Sequence, residues 1–189
     1  MLKDADNIDR KLDLLKDIIR SYGDMVLAFS GGKDSTLLLT IGAQVLDSSK
    51  LVAVTAVSPI KREEERELAT ALCSKMEINH RIIETNEYKN PEFIKYPKKR
   101  CLICKEELYR SMREVSHNTR LSHLIEGTNC DDIKKERPVD KLAQKYDIRR
   151  PLVEAGITTF DILTILDQMG LKNYIRPHYT SCKPWEILF

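Results

Sequence analysis

Apolar positions in the first half of the chain fall into two alternating kinds of run. Ile8, Leu12, Leu15 and Ile19 recur at helical spacing, with Asn7 placed to cap the start and Gly23 to close the end, and predict an amphipathic helix. Residues 24–30 are almost continuously apolar, as expected of a parallel strand covered on both faces. Gly31 and Gly32 follow at once, and from Asp34 the spacing of Leu38, Ile41 and Val45 is helical again. Residues 51–57 read as a second buried strand. Ser58-Pro59 then starts a helix with Leu68, Leu72 and Met76 inward, and residues 80–84 give a weaker strand. Strands and helices alternating at this pitch imply right-handed crossovers and an α/β fold: a doubly wound parallel sheet of about five strands, with helices on both faces.

Residues 85–100 break the rhythm. They hold Pro91, Pro97 and the cluster Lys98-Lys99-Arg100, and predict an irregular insertion over the carboxyl edge of the sheet. A helix over 102–115, a strand over 121–126, a loop over 127–132 and a short fifth strand over 149–152 come next. Thr158 and Asp161 form a capping-box pattern for a last helix that turns Ile162, Ile165, Leu166 and Met169 inward and ends at Gly170. Residues 172–189 carry no clear pattern. Residues 1–189 thus read as a single domain with a short C-terminal tail from about 172.

Composition narrows the class. The 189 residues include 31 basic and 29 acidic side chains, and 42% are hydrophobic, as in an ordinary globular chain and unlike a disordered one. A formal charge of +2 argues against a long basic face for nucleic acid. The longest charge-free stretch, residues 35–46, contains Thr40, Gly42 and Gln44 and falls short of the ~20 apolar residues that cross a bilayer. The first ten residues carry Lys3, Asp4, Asp6, Asp9 and Arg10 with no apolar core behind them, so no secretory signal is read and a cytoplasmic location is expected. There the five cysteines serve better as metal or catalytic candidates than as disulfides.

The candidate chemistry begins at Ser30-Gly31-Gly32-Lys33-Asp34-Ser35, where a buried strand turns into a helix. Two glycines let the backbone turn sharply and gather several N–H groups on one anion, while Ser30, Ser35 and Lys33 add hydroxyls and a cation. This is a nest for phosphate. Cys101 and Cys104 are three apart, so at a helix start both thiolates can face one metal, iron-sulfur or zinc. Alternatively, with Leu108, Met112 and Val115 they begin a buried stripe. Cys73 beside Leu72 reads as a core residue, and Cys130 as packing or a reactive thiol. His80, His117, His123 and His178 show no metal-pair or dyad spacing and read as structural or surface residues. Lys98-Lys99-Arg100 is a solvated surface or a receiver for an anionic substrate, and Trp185 docks the tail or meets another subunit.

The hexapeptide resembles the pyrophosphate loop of the N-type ATP pyrophosphatases, the superfamily of NAD synthetase, GMP synthetase and several sulfur-transfer enzymes. Four further stretches look like the ATP-dependent sacrificial sulfur transferases of lactate racemase cofactor synthesis. They are Val54-Thr55-Ala56-Val57-Ser58-Pro59, Arg100-Cys101-Leu102-Ile103-Cys104-Lys105, Glu126-Gly127-Thr128-Asn129-Cys130-Asp131-Asp132, and the run from Arg150 through Pro151 to Thr158. The resemblance implies cleavage of ATP between the α and β phosphates, adenylation of an oxygen on a small substrate, and displacement of AMP by sulfur. It implies that Ser30, Gly31, Gly32, Lys33, Asp34 and Ser35 hold the phosphates, with Lys33, Asp34 and Ser35 taking part in catalysis. Thr55 and Ser58 would approach the adenosine, Gly127, Thr128 and Asn129 the phosphates, and Asp131 and Asp132 their Mg²⁺, unless these two acids cap the next helix.

Sacrificial members give up sulfur from a cysteine in a Cys-Leu-Ala-Ser-Arg stretch, where this chain has Thr180-Ser181-Cys182-Lys183-Pro184-Trp185. Iron-sulfur-dependent tRNA thiolases of the superfamily instead hold a 4Fe-4S cluster on a Cys-x-x-Cys pair and one distant cysteine. By that resemblance Cys101, Cys104 and Cys182 carry a cluster, and Cys182 belongs to the catalytic set. The sulfur would come from a donor protein or free sulfide, and a homo-oligomer is open. The alternatives are an ammonia-using carbon-nitrogen ligase, a tRNA thiolase, and a non-catalytic nucleotide or zinc module.

Overall fold

The computed structural model describes residues 2–133 and 138–171. In chain order these form α1 (Leu2–Tyr22), β1 (Met25–Ala28), α2 (Lys33–Val45), β2 (Leu51–Val57), α3 (Glu63–Lys75), β3 (Asn79–Glu84), α4 (Pro91–Lys95), α5 (Arg100–Thr119), β4 (Leu124–Ile125), α6 (Cys130–Ile133), α7 (Val139–Lys145), β5 (Ile148–Arg149), α8 (Pro151–Glu154) and α9 (Thr159–Gln168). The five strands make one sheet in the order β3-β2-β1-β4-β5, and every pairing is parallel. This is the doubly wound α/β architecture that the alternating runs predict.

Alternation along the strands sorts the core into two layers. Met25, Leu27, Leu51 and Ala53 face a cluster built with Leu15, Ile19, Leu38, Leu72 and Ile165, from α1, α2, α3 and α9. Val26, Val52 and Val54 face the opposite cluster, with Tyr109 and Met112 of α5 and Leu142 of α7. A strand covered on both sides must be apolar at every position, which is why β1 and β2 show no polar alternation. The chain leaves β1 toward β2 on one side and β4 on the other. That reversal opens a crevice at the carboxyl ends of the strands, where doubly wound sheets hold ligands.

Several boundaries differ from the pattern-based expectation. The first helix already begins at Leu2, so Asn7 lies inside it. Residues 58–62 turn before α3 starts at Glu63 with three acids in its first turn, which suit the positive helix end. The insertion over 85–100 is not irregular: it holds the short helix α4, started by Pro91 and capped by the Asn90 side chain on the Glu92 amide, and α5 begins directly at Arg100. The fifth strand is Ile148–Arg149 and stops there because Pro151 opens α8, where its missing N–H costs nothing. The capping box of α9 is present, with Thr158 and Asp161 bonding each other's backbone amides. Lys11 of α1 reaches the same Asp161 carboxylate at 2.7 Å and ties the first helix to the last.

Candidate active site

Past β1 the chain turns at Gly31, whose φ of +69° lies in the left-handed region that glycine adopts without strain. Gly32 then occupies the N-cap position of α2. Ser35 Oγ donates to the Gly32 carbonyl at 3.1 Å and accepts the Ser30 amide at 3.4 Å, closing the loop on itself. The first-turn amides of α2 have no partner within the helix and face the same end, as an anion requires. Lys33 is buried, and its ammonium lies 2.8 and 2.9 Å from the two carboxylate oxygens of Asp34. Asn129 Nδ2 donates to the same carboxylate at 2.7 Å and so joins the loop after β4 to the loop after β1.

Gly127 makes that joint tight. A Cβ on Gly127 would stand 3.0 Å from both the Ser35 amide nitrogen and Asp34 Cβ, so only glycine lets the two loops touch. One residue earlier, Glu126 is 2% exposed and its carboxylate is surrounded by donors. Lys105 Nζ at 2.5 Å and Tyr109 Oη at 2.6 Å bind one oxygen; Thr128 Oγ1 and Arg150 Nε, each at 2.8 Å, bind the other. Arg150 is held in turn by Asp140 at 2.7 Å. Burial pushes the Glu126 carboxyl up, but Lys105, Tyr109 and Arg150 outweigh burial and bring it down to about 2. Tyr109 is driven the other way, by burial and by the neighbouring anion. Glu126 is therefore a fixed negative charge shared by two cations.

These loops border a cavity of about 750 Å³ at the carboxyl edge of the sheet. One side is Ser30, Asp34 and Ser35; another is Glu126, Gly127, Thr128 and Asp132; α5 contributes Arg100, Cys101, Cys104 and Lys105. The remaining wall is largely apolar, from Phe29, Val54, Ile60, Phe93 and Pro97, with Thr55, Lys61 and Glu65 among them. Such a mix, one end able to hold anions and the other apolar, suits a nucleotide. Thr55 donates its hydroxyl to the Phe29 carbonyl and therefore accepts from His80 Nε2, both at 2.8 Å. Burial lowers the His80 pKa, keeping the ring neutral in that role.

The residues singled out from the sequence are thus distributed unevenly. Ser30, Asp34, Ser35, Thr55, Gly127, Thr128, Asp132, Cys101 and Cys104 share the cavity. Gly31, Gly32 and Lys33 shape the loop behind its rim, and Asn129 acts through Asp34. Ser58 instead donates its hydroxyl to the buried Glu87 at 2.9 Å. Asp131 accepts the Thr159 amide at 2.9 Å, in the first turn of the distant α9 rather than at the start of the next helix. Cys101 is exposed and Cys104 half-buried, so the pair does not begin a buried stripe; the buried residues of α5 are Tyr109 and Met112. Cys73 is a core residue whose thiol burial pushes up to about 12. Cys130 packs with its sulfur 3.9 Å from the Val153 carbonyl. Cys182 and His178 lie outside the described residues, and among the described residues no three His, Cys, Asp or Glu form a ready metal site. No local pattern marks Glu126, Lys105 or Lys61, although Lys105 ends the stretch Arg100–Lys105 and Glu126 begins the stretch Glu126–Asp132. No described helix is long and apolar enough to cross a membrane.

A doubly wound sheet with a Ser-Gly-Gly-Lys-Asp-Ser loop at its switch point defines a nucleotide-binding α/β protein of the phosphate-loop kind. The sequence model of the NAD synthase family matches residues 7–134, and the chain belongs to that family of N-type ATP pyrophosphatases, whose members are ATP-using enzymes. An uncharacterized protein of Synechocystis sp. is 33% identical over 170 residues, covering 90% of this chain and 63% of that one. The pyridinium-3,5-bisthiocarboxylic acid mononucleotide synthase of Lactiplantibacillus plantarum is 28% identical over 161 residues, covering 85% and 56%. This chain therefore spans a little over half the length of these curated relatives. Among solved structures, the U34-tRNA thiolase NcsA of Methanococcus maripaludis, with its [4Fe-4S] cluster, superposes with a TM-score of 0.67 at 20% identity, over 93% of this chain and 68% of that one, and shows the shared fold.

Proposed function

We propose that residues 1–189 form a single ATP-pyrophosphatase domain that adenylates a small substrate and transfers sulfur to it. The observation that carries this reading is that one cavity is bordered both by the phosphate loop at Ser30, Asp34 and Ser35 and by the thiols of Cys101 and Cys104. ATP would lie with its phosphates on the α2 amides and Ser35, and its adenosine along Val54, Thr55 and Ile60. Of the carboxylates that line the cavity, Asp34, Glu65, Glu126 and Asp132, those of Asp34 and Asp132 would serve Mg²⁺, an ion that favours a few carboxylates together with phosphate oxygens.

The reaction balances as two displacements. A carboxylate oxygen of the acceptor attacks the α-phosphorus, the bond to the bridging oxygen breaks, and pyrophosphate leaves with the electron pair. Hydrosulfide then adds to the activated carbon, AMP leaves with the carbon–oxygen electron pair, and one proton is released. The chain's own residues bind and orient these groups: the loop amides and Ser35 hold the departing pyrophosphate, and Asn129 keeps the Asp34 carboxylate in place. Cys101 and Cys104 fit as two ligands of a 4Fe-4S cluster, with Cys182 as the third by resemblance. Such a cluster would supply an iron site for hydrosulfide. Two similar proteins support sulfur chemistry, the bisthiocarboxylic acid synthase and the tRNA thiolase with its cluster. Free sulfide or a donor protein would provide the sulfur, and the working location would be the cytoplasm.

The test is anaerobic purification followed by iron, sulfide and zinc analysis. Iron and sulfide near cluster stoichiometry, lost together in Cys101→Ser, Cys104→Ser and Cys182→Ser, are the expected result. Zinc alone would make the pair structural. A protein without metal after reconstitution, yet forming AMP with ammonia, would replace sulfur transfer by amide formation.

A further inference from the structure

The phosphate loop contains a lysine, but the structure gives its ammonium another occupation. Lys33 is buried, absent from the cavity wall, and within 2.9 Å of both Asp34 carboxylate oxygens. A cation is nevertheless needed beside the triphosphate, because leaving-group charge builds on its oxygens as the bond to the α-phosphorus breaks. The opposite wall offers one. Lys105 follows Cys104 on α5, lines the cavity, and gives one of its N–H groups to Glu126, leaving the others for a ligand. Its side chain is 36% exposed, against 10% for Lys33.

Glu126 fixes where that ammonium stands. The same carboxylate binds Thr128, and Gly127 between them packs on the Ser35 amide, so the anchor of Lys105 is joined directly to the phosphate loop. Arg150 shares the Glu126 charge and is itself met by Asp140. Lys61 and Arg100 also line the cavity, on its apolar side: Lys61 bonds the Ala56 carbonyl and stands 3.9 Å from the buried Glu87 carboxylate, and Arg100 bonds the carbonyls of Phe93 and Ile94.

Resting on the functional reading above, we propose that Lys105, reaching across from α5, is the cation that binds the phosphoryl oxygens of ATP, and that Glu126 is its positioning residue. The experiment measures dissociation constants for ATP, AMP, inorganic pyrophosphate and adenosine on the full chain by titration calorimetry. Lys105→Met is expected to weaken ATP by about 10- to 100-fold, the size of a lost charged hydrogen bond, and to leave adenosine unchanged. Whichever of AMP and pyrophosphate loses affinity identifies the phosphate engaged. Lys105→Arg should recover part of the loss. Lys145→Met, which removes an exposed cation paired with Glu106 away from the cavity, controls for net charge.

Glu126→Gln should weaken ATP less than Lys105→Met does, and the double variant should bind no worse than Lys105→Met alone, because the glutamate acts through the lysine. If Glu126→Gln does not fold, Lys105→Met decides the main claim alone. Unchanged ATP affinity in Lys105→Met, or an equal loss for adenosine, overturns the role of Lys105. Additive losses in the double variant overturn the positioning role of Glu126. A wild-type chain that binds no adenine nucleotide overturns the functional reading and this inference with it, whereas tight binding insensitive to Lys105 overturns this inference only.

Discussion

The rim of the cavity at Ser30, Asp34 and Ser35 comes from six consecutive residues, whereas its α5 wall is held by Glu126 with partners 17, 21 and 24 residues away. The rim is backbone geometry: a glycine at positive φ, a helix start and two hydroxyls. The wall is charge compensation among side chains from α5, the end of β4 and the segment before α8. A backbone loop tolerates changes of pH and of neighbouring side chains. A buried carboxylate does so only while its cations stay in place.

The largest effect expected is on the wall. Glu126→Ala leaves Arg150 and Lys105 without their shared anion and should lower unfolding free energy by about 3–5 kcal/mol, read as a fall in denaturant midpoint. The same charge sets an acid limit. The folded Glu126 carboxyl is depressed to about 2 from an ordinary 4.5, so its contribution, roughly 3 kcal/mol, is complete above pH 4.5 and is lost as pH falls toward 2. Glu126→Gln should therefore flatten the wild-type slope of stability against pH across that window. A slope identical in both proteins would mean that the carboxylate is not held as described.

The rim should respond in activity instead. Ser35→Ala should reduce AMP formation by about 10²- to 10³-fold while leaving the thermal transition almost unmoved, whereas Asp34→Ala, which also leaves the buried Lys33 ammonium unpaired, should lower the thermal transition as well. Gly127→Ala joins the two sides, since its methyl meets the Ser35 amide. It should cost about 1–3 kcal/mol and weaken nucleotide binding together, where a change confined to one side would affect one readout. The smallest effect lies outside both regions: Thr158→Ala removes one half of the α9 capping box and should cost about 1 kcal/mol with no change in nucleotide affinity.

This contrast also explains how far the sequence could be read. Strand and helix order followed from apolar periodicity because β1 and β2 are covered on both faces, and the capping box at Thr158 was legible because its partners are three apart. The rim was legible for the same reason. The wall was not, because nothing local in Glu126 or Lys105 announces a contact across 21 residues. Asp131 and Asp132 look alike in the chain and part only in three dimensions, one bonding the first turn of α9 and the other facing the cavity. The small helix α4 did carry a local signal, Asn90 before Pro91, which the dense prolines and lysines of that segment obscured.

The claim that one cavity serves nucleotide and thiols is tested most directly by cysteine alkylation in the metal-free chain, with and without MgATP, each site followed by mass spectrometry. Exposed Cys101 and half-buried Cys104 should react, buried Cys73 should stay inert with its thiol near 12, and saturating MgATP should slow Cys101 and Cys104 severalfold. Equal rates for both cysteines with and without bound nucleotide would contradict a shared cavity.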